Sequence, residues 1–188
     1  SWDYGVKMAL ALADSIGADL VFGTDPDCDR VGIAVKNGDD YTLLTGNQTG
    51  ALLVDYVLSQ KQLDDKSVVI KTIVTSELGD DIAKARGAEV MNVLTGFKYI
   101  GEKMIAFEKT QSHTFIMGYE ESYGYLVGNH AKDKDAVVAA MLICEMAAYY
   151  KAQGKTLLDQ LEALYQQYGY YQDAVESFTF AGAEGQQH

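Results

Sequence analysis

Between Ser67 and Met117 the chain alternates between two hydrophobic periods, and few architectures accept that alternation. Ser67–Val74 is a β-branched run of strand length, and Glu89–Val93 and Thr114–Met117 are shorter strand-like runs. Helical patterns lie between them, one ending at Ala85 before Gly87 and one over Phe97–Phe107. Ser76 is expected to cap the first, with Glu77, Asp80 and Asp81 in a first turn where carboxylates complement the helix dipole. Strands joined by helices need crossover connections, so the pattern predicts an α/β fold with a mixed, largely parallel sheet flanked by helices. Asp135–Lys151 is apolar on nearly all sides and reads as a core helix. Leu157, Leu158, Leu161, Leu164 and Tyr165 give an amphipathic helix that stops near Gly169, and Tyr171–Phe180 returns to strand.

Upstream, Val6, Ala9, Leu10, Ala13 and Ile16 share one face of a helix over Tyr4–Ile16, with Gly17 at its C-terminal stop. Leu20–Gly23, Val31–Lys36 and Tyr41–Leu44 read as strands, the last two joined by an Asn37–Asp40 turn. Thr45-Gly46-Asn47 then opens a helix over about Gln48–Ser59. A domain boundary is placed at Leu44–Asn47: residues 1–44 form the end of a partial α/β unit, residues 45–175 a fairly complete second one, and 176–188 a trailing segment.

Composition narrows the class. The chain of 188 residues is 48% hydrophobic and 22% charged, enough for a real core. No apolar run approaches the roughly 18 residues of a membrane span, and there is no signal peptide, so no membrane partner is expected. Cys28 and Cys144 give no disulfide framework, and Cys144 lies in an apolar stretch that predicts a buried thiol. A reducing, cytoplasmic compartment follows. The net charge of −12 argues against nucleic acid, which wants a basic face. It does not speak against a phosphorylated substrate, because a few well-placed lysines and arginines decide that locally. The start at Ser1, directly in an amphipathic segment, suggests an internal piece of a longer chain or a processed one.

Four constellations could carry chemistry. In Gly23-Thr-Asp-Pro-Asp-Cys-Asp-Arg30 the carboxylates of Asp25, Asp27 and Asp29 crowd a short loop after a strand, with Pro26 stiffening the turn. Such anions repel unless a cation holds them, and a hard divalent ion with oxygen ligands, Mg²⁺ by default, fits. A polar surface turn is the plain alternative. An EF-hand fails, because Arg30 stands at the required glycine and Lys36 at the bidentate glutamate. A phosphatase with an aspartyl nucleophile is disfavoured by Asp29 at the fourth position after Asp25. Arg30 beside the metal suits phosphate handling, or else neutralises the loop through a salt bridge.

The second constellation is Gly118-Tyr-Glu-Glu-Ser-Tyr-Gly-Tyr125, at the carboxyl end of a predicted strand, where open α/β sheets bind ligands. Glu120 and Ser122 point the same way on extended backbone and could hold vicinal sugar hydroxyls. The alternative is a hairpin with solvated acids. Gly96, Phe97 and Lys98, at a helix start after Thr95, suit an anionic or polyhydroxy ligand, or are merely a cap. Lys134, in Lys132-Asp-Lys-Asp135, is either a phosphate-binding lysine or part of a capping turn.

Together these residues resemble the α-D-phosphohexomutase superfamily, the phosphoglucomutases and phosphomannomutases. The resemblance implies that Asp25, Asp27, Asp29 and Arg30 are that family's Mg²⁺ loop, Glu120, Glu121 and Ser122 its sugar-recognition loop, Thr95–Lys98 a further substrate loop, and Lys134 a substrate lysine. Pro26 and Cys28 stand where the family usually has glycines, and the Glu-Glu-Ser form is most similar to the bacterial phosphoglucomutase branch near the phosphopentomutases. The family's serine loop is not found: Ser112-His113 is followed by Thr114. The resemblance therefore implies that residues 1–44 end domain 2, residues 45–175 are domain 3, and 176–188 begin a linker towards domain 4. Domains 1 and 4 of the same polypeptide would supply the phosphoserine and a phosphate-binding loop, so this piece alone should not turn over. Its partner would be a sugar phosphate, with glucose, mannose and pentose all open. The implied chemistry is phosphoryl transfer through a phosphoserine and a bisphosphate intermediate. A non-catalytic metal- or sugar-binding module is the reading from another class.

Overall fold

The computed structural model describes residues 2–24, 26, 30–121, 124–128, 136–170 and 177–178. Helix α1 (Trp2–Ile16) precedes β1 (Leu20–Thr24), β2 (Val31–Asn37) and β3 (Asp40–Leu43), which pair antiparallel as a meander joined at its far edge by β8 (Ser177–Phe178). The β2–β3 turn closes with Asn37 opposite Asp40, and Gly38 takes the left-handed backbone (φ +63°) that such a turn needs. Period-two alternation splits β2 between two cores. Ala34 packs towards α1, with Leu10, Ala13 and Tyr41. Val31, Ile33 and Val35 join the main core. Tyr41 is fully buried and donates its hydroxyl to the Ala18 carbonyl at 2.6 Å, tying β3 to the end of α1.

The second sheet has the order β5-β4-β6-β7, from β4 (Ser67–Thr72), β5 (Glu89–Val93), β6 (Thr114–Tyr119) and β7 (Tyr125–Val127). β4 pairs parallel with both β5 and β6, and β7 returns antiparallel to β6. Helices α2 (Gly46–Gln60), α3 (Leu78–Ala85), α4 (Phe97–Thr110), α5 (Ala136–Lys151) and α6 (Leu157–Tyr168) cover both faces. On one face Val68, Ile70 and Phe115 meet Phe97, Ile100, Met104 and Phe107 of α4. On the other, Val69, Ile116 and Met117 meet α2, α3, α5 and α6. A bulge between Val68 and Val69 lets the consecutive Ile116 and Met117 enter the same cluster. Each fully buried side chain of this size contributes about 1.5–3 kcal/mol relative to exposure.

Several expectations need correction. The central helix is α2, in which residues 48–58 are buried; α5 buries Ala136, Ala139, Ile143, Met146 and Tyr150 on one face and exposes Val137 (58%) and Met141 (67%) on the other. Composition cannot tell these apart, because both helices are rich in apolar residues and only the neighbours of α2 enclose it. Cys144 lies on the exposed side of α5 and is a free, exposed thiol, not a buried one. β4 stops at Thr72, two residues before the expected end, because Thr75 turns the chain back: its N–H and its hydroxyl both donate to the Thr72 carbonyl, at 3.1 and 2.7 Å. Ser76 does not cap α3. Glu77 occupies that position without a side-chain cap, and the Ser76 N–H donates to Asn47 Oδ1 at 3.1 Å. α2 is capped by Thr45, whose hydroxyl accepts from the Gln48 N–H while the Gln48 side chain accepts from the Thr45 N–H.

Candidate functional site

Because β4, β5 and β6 run parallel, their carboxyl ends share one edge. Thr72 stands opposite Val93, and Lys71 opposite Tyr119. The turns that leave this edge are residues 73–77 before α3, 94–96 before α4, and 120–124 before β7. The amino end of α2 joins them: Asn47 accepts from Ser76, and the buried Tyr125 hydroxyl donates to the Gly46 carbonyl at 3.1 Å. Topology thus brings together two of the predicted loops, Gly96–Lys98 and the one that begins at Glu120.

Glu120 is 4% exposed, and its N–H donates to the Gly124 carbonyl at 3.0 Å across the turn. The β6–β7 connection is a hairpin, but the solvated-acid version of that reading does not hold, since Glu120 is buried. Glu121 is half-buried and accepts from Thr72 Oγ1 at 2.9 Å. Behind Glu120, the Tyr119 ring fills a slot between α2 and α3. A Cβ on Gly50 would lie 2.6 Å from that ring, and one on Gly79 would collide with its hydroxyl. Burial raises the Tyr119 hydroxyl well above the ordinary phenol range, and the Asp80 charge adds to this, against a smaller lowering by its hydrogen bond to Thr75.

Gly96 caps α4 at φ +124°, a conformation side-chain-bearing residues rarely adopt, so glycine is required there by backbone shape. Phe97 opens α4 with its ring buried in the α4 core cluster. Lys98 is exposed, with its ammonium 4.9 Å from the Tyr99 ring centroid. Arg30 is exposed and stands just before β2, at the end of the β1–β2 ladder where Thr24 faces Val31. Asp25, Asp27, Asp29, Ser122 and Lys134 lie outside the described residues. Among the described residues no group of three or more His, Cys, Asp or Glu side chains is placed to hold a metal ion.

Sequence reasoning missed Lys71. It is 3% exposed at the end of the central strand, and its Nζ lies 2.7 Å from Asp80 Oδ1 and donates to Thr75 Oγ1 at 2.9 Å. The carbonyls of Thr75 and Ser76 lie at 3.4 and 3.5 Å. A buried ammonium must be paired in this way. A signal was available: a parallel strand covered on both faces should read as a continuous apolar run, and a lysine in the middle of one is out of place.

A sequence model described as "Phosphoglucomutase/phosphomannomutase, alpha/beta/alpha domain III" matches residues 45–168. The chain belongs to that family. Among its relatives, the phosphoglucomutase of Staphylococcus haemolyticus (strain JCSC1435) is 40% identical over 182 residues, covering 96% of this chain and 33% of the relative. Of the family's solved structures, a phosphoglucomutase/phosphomannomutase family protein from Burkholderia thailandensis aligns with a TM-score of 0.65 at 17% identity, over 86% of this chain and 32% of that one. The open form of pp63/parafusin, a phosphoglucomutase from Paramecium, aligns with the same score at 19% identity, over 82% and 26%. These structural likenesses establish the fold. The chain spans about a third of the length of the curated relatives it matches.

Proposed function

We propose that this chain is the sugar-recognition part of a phosphoglucomutase-like intramolecular phosphotransferase, which interconverts sugar 1-phosphates and 6-phosphates through a phosphoserine and a bisphosphate. The observation that carries the proposal is the buried Glu120 at the carboxyl end of β6, in a domain of this family, on the same sheet edge from which the Gly96–Lys98 segment leaves. The division follows the sequence reading: residues 1–44 end one domain, 45–175 form the sugar-binding domain, and 176–188 begin a linker. The phosphoserine and the terminal phosphate-binding loop belong to polypeptide outside this sequence. The names of the relatives favour glucose phosphate, with mannose and pentose phosphates as the other substrates of the same chemistry. A cytoplasmic enzyme fits the thiol usage.

In this reading the Glu120 carboxylate accepts a hydrogen bond from one sugar hydroxyl and the Ser122 hydroxyl bonds a vicinal one, so the sugar can be held in either orientation. Lys98 and Lys134 contact the substrate's anionic end, and Gly96 lets the backbone approach it. Phe97 supports that turn from the core. Arg30 steadies the reacting phosphate. Asp25, Asp27 and Asp29 all fall between Thr24 and Val31, which face each other across the ladder, so three carboxylates share one short connection. That donor set suits Mg²⁺. When bound, Mg²⁺ would stabilise negative charge on phosphoryl oxygens.

The test is turnover of glucose 1-phosphate to glucose 6-phosphate by the full-length enzyme with Glu120→Gln. Hydrogen bonds to a charged group contribute about 1.5–3 kcal/mol each, so kcat/KM should fall about 10–100-fold. Unchanged kcat/KM removes Glu120 from the site. Absence of mutase activity in the full-length wild type, with sugar binding retained, would favour the non-catalytic module.

A further inference from the structure

The turn after β4 is bound far more tightly than a surface turn requires. Lys71 gathers Asp80, Thr75 and the Ser76 carbonyl onto the end of the strand. Thr75 bonds back to Thr72, and Ser76 is held by Asn47. Thr72 is itself fully buried, and its hydroxyl reaches across to Glu121 at 2.9 Å. Glu121 is the residue after Glu120, on a turn closed by the Glu120–Gly124 bond. On the other side of Glu120, Tyr119 is locked between Gly50 and Gly79. Both chain neighbours of Glu120 are therefore held, Tyr119 through packing and Glu121 through the hydroxyl of Thr72.

We propose that Thr72 and Glu121 are positioning residues for the sugar site: the Thr72–Glu121 hydrogen bond, anchored by Lys71, sets the aim of Glu120. Glu121 then serves the site through Thr72 and not as a sugar ligand. This rests on the reading of Glu120 as a substrate contact. A brace of this kind acts on binding of substrate and transition state alike, so its loss raises KM and leaves kcat nearly unchanged.

The experiment uses the full-length enzyme and glucose 1-phosphate, with Thr72→Val, Thr72→Ser, Glu121→Ala and Glu120→Gln, and with Thr72→Val combined with each glutamate variant. Thr72→Val should raise KM about tenfold, as expected for one lost hydrogen bond to a carboxylate, with kcat within about twofold. Thr72→Ser, which keeps the hydroxyl, should restore KM. Glu121→Ala, at a half-buried turn position, should match Thr72→Val, and the two together should add nothing. In the Glu120→Gln background Thr72→Val should lose its effect. Wild-type KM in both Thr72→Val and Glu121→Ala, with Glu120→Gln impaired, would overturn the brace and leave the proposed function standing. A large loss of kcat in Glu121→Ala with normal Thr72→Val kinetics would also overturn it, by making Glu121 a direct contact.

Discussion

The turns after β4 and β5 leave the same edge of the same sheet and are held by opposite means. Residues 73–76 are fixed from behind by the buried Lys71, Thr72 and Thr75 and by the half-buried Asn47. Residues 94–96 carry an exposed Leu94 (58%) and Thr95, and end on Gly96 at φ +124°. Their shape is written in the backbone of one glycine. The pairing teaches that a binding edge can combine a turn whose geometry depends on distant residues with one whose geometry is local, and that mutation should distinguish the two.

The sharpest separation should come from Lys71→Met, which leaves Asp80 facing the protein interior without its cation. Breaking a buried pair costs about 3–5 kcal/mol, read as a shift of the urea midpoint. Lys71→Met with Asp80→Leu should recover much of that loss, and a single variant as stable as wild type would dissolve the contrast between the turns. Next is Gly96→Ala. The added Cβ would sit at an ordinary 3.5 Å from the Tyr99 ring, so the cost is conformational alone, about 1–2 kcal/mol. A larger loss would mean that tertiary packing holds this turn as well. Smallest is Leu94→Ser, which should change stability by no more than about 0.5 kcal/mol. A clear loss there would show that the second turn has a packed partner.

The same contrast explains what was legible in the sequence. Gly96 announces itself, because glycine before a helix pattern is a backbone signal. The alternation that yields β4, α3, β5, α4 and β6 is also local, and the family match and the neighbouring folds agree with it. The brace is not local. Thr72 and Glu121 are 49 positions apart, and nothing in either segment alone says that they meet. β7 was missed because three residues are too few for a periodic pattern. The burial of the Phe97 ring was also legible, from its place in the α4 stripe with Ile100, Met104 and Phe107. α2 and α5 look alike by composition, and the difference lies wholly in what surrounds them.

Val31, Ile33 and Val35 of the antiparallel meander share one apolar cluster with α2, α5 and α6. The seam that the sequence suggests near residue 45 is therefore a seam in connectivity and not in cohesion. Peeling the first sheet away would strip the cover from the helices that roof the second. One apolar cluster thus reaches from the first sheet to Tyr119, the residue before Glu120.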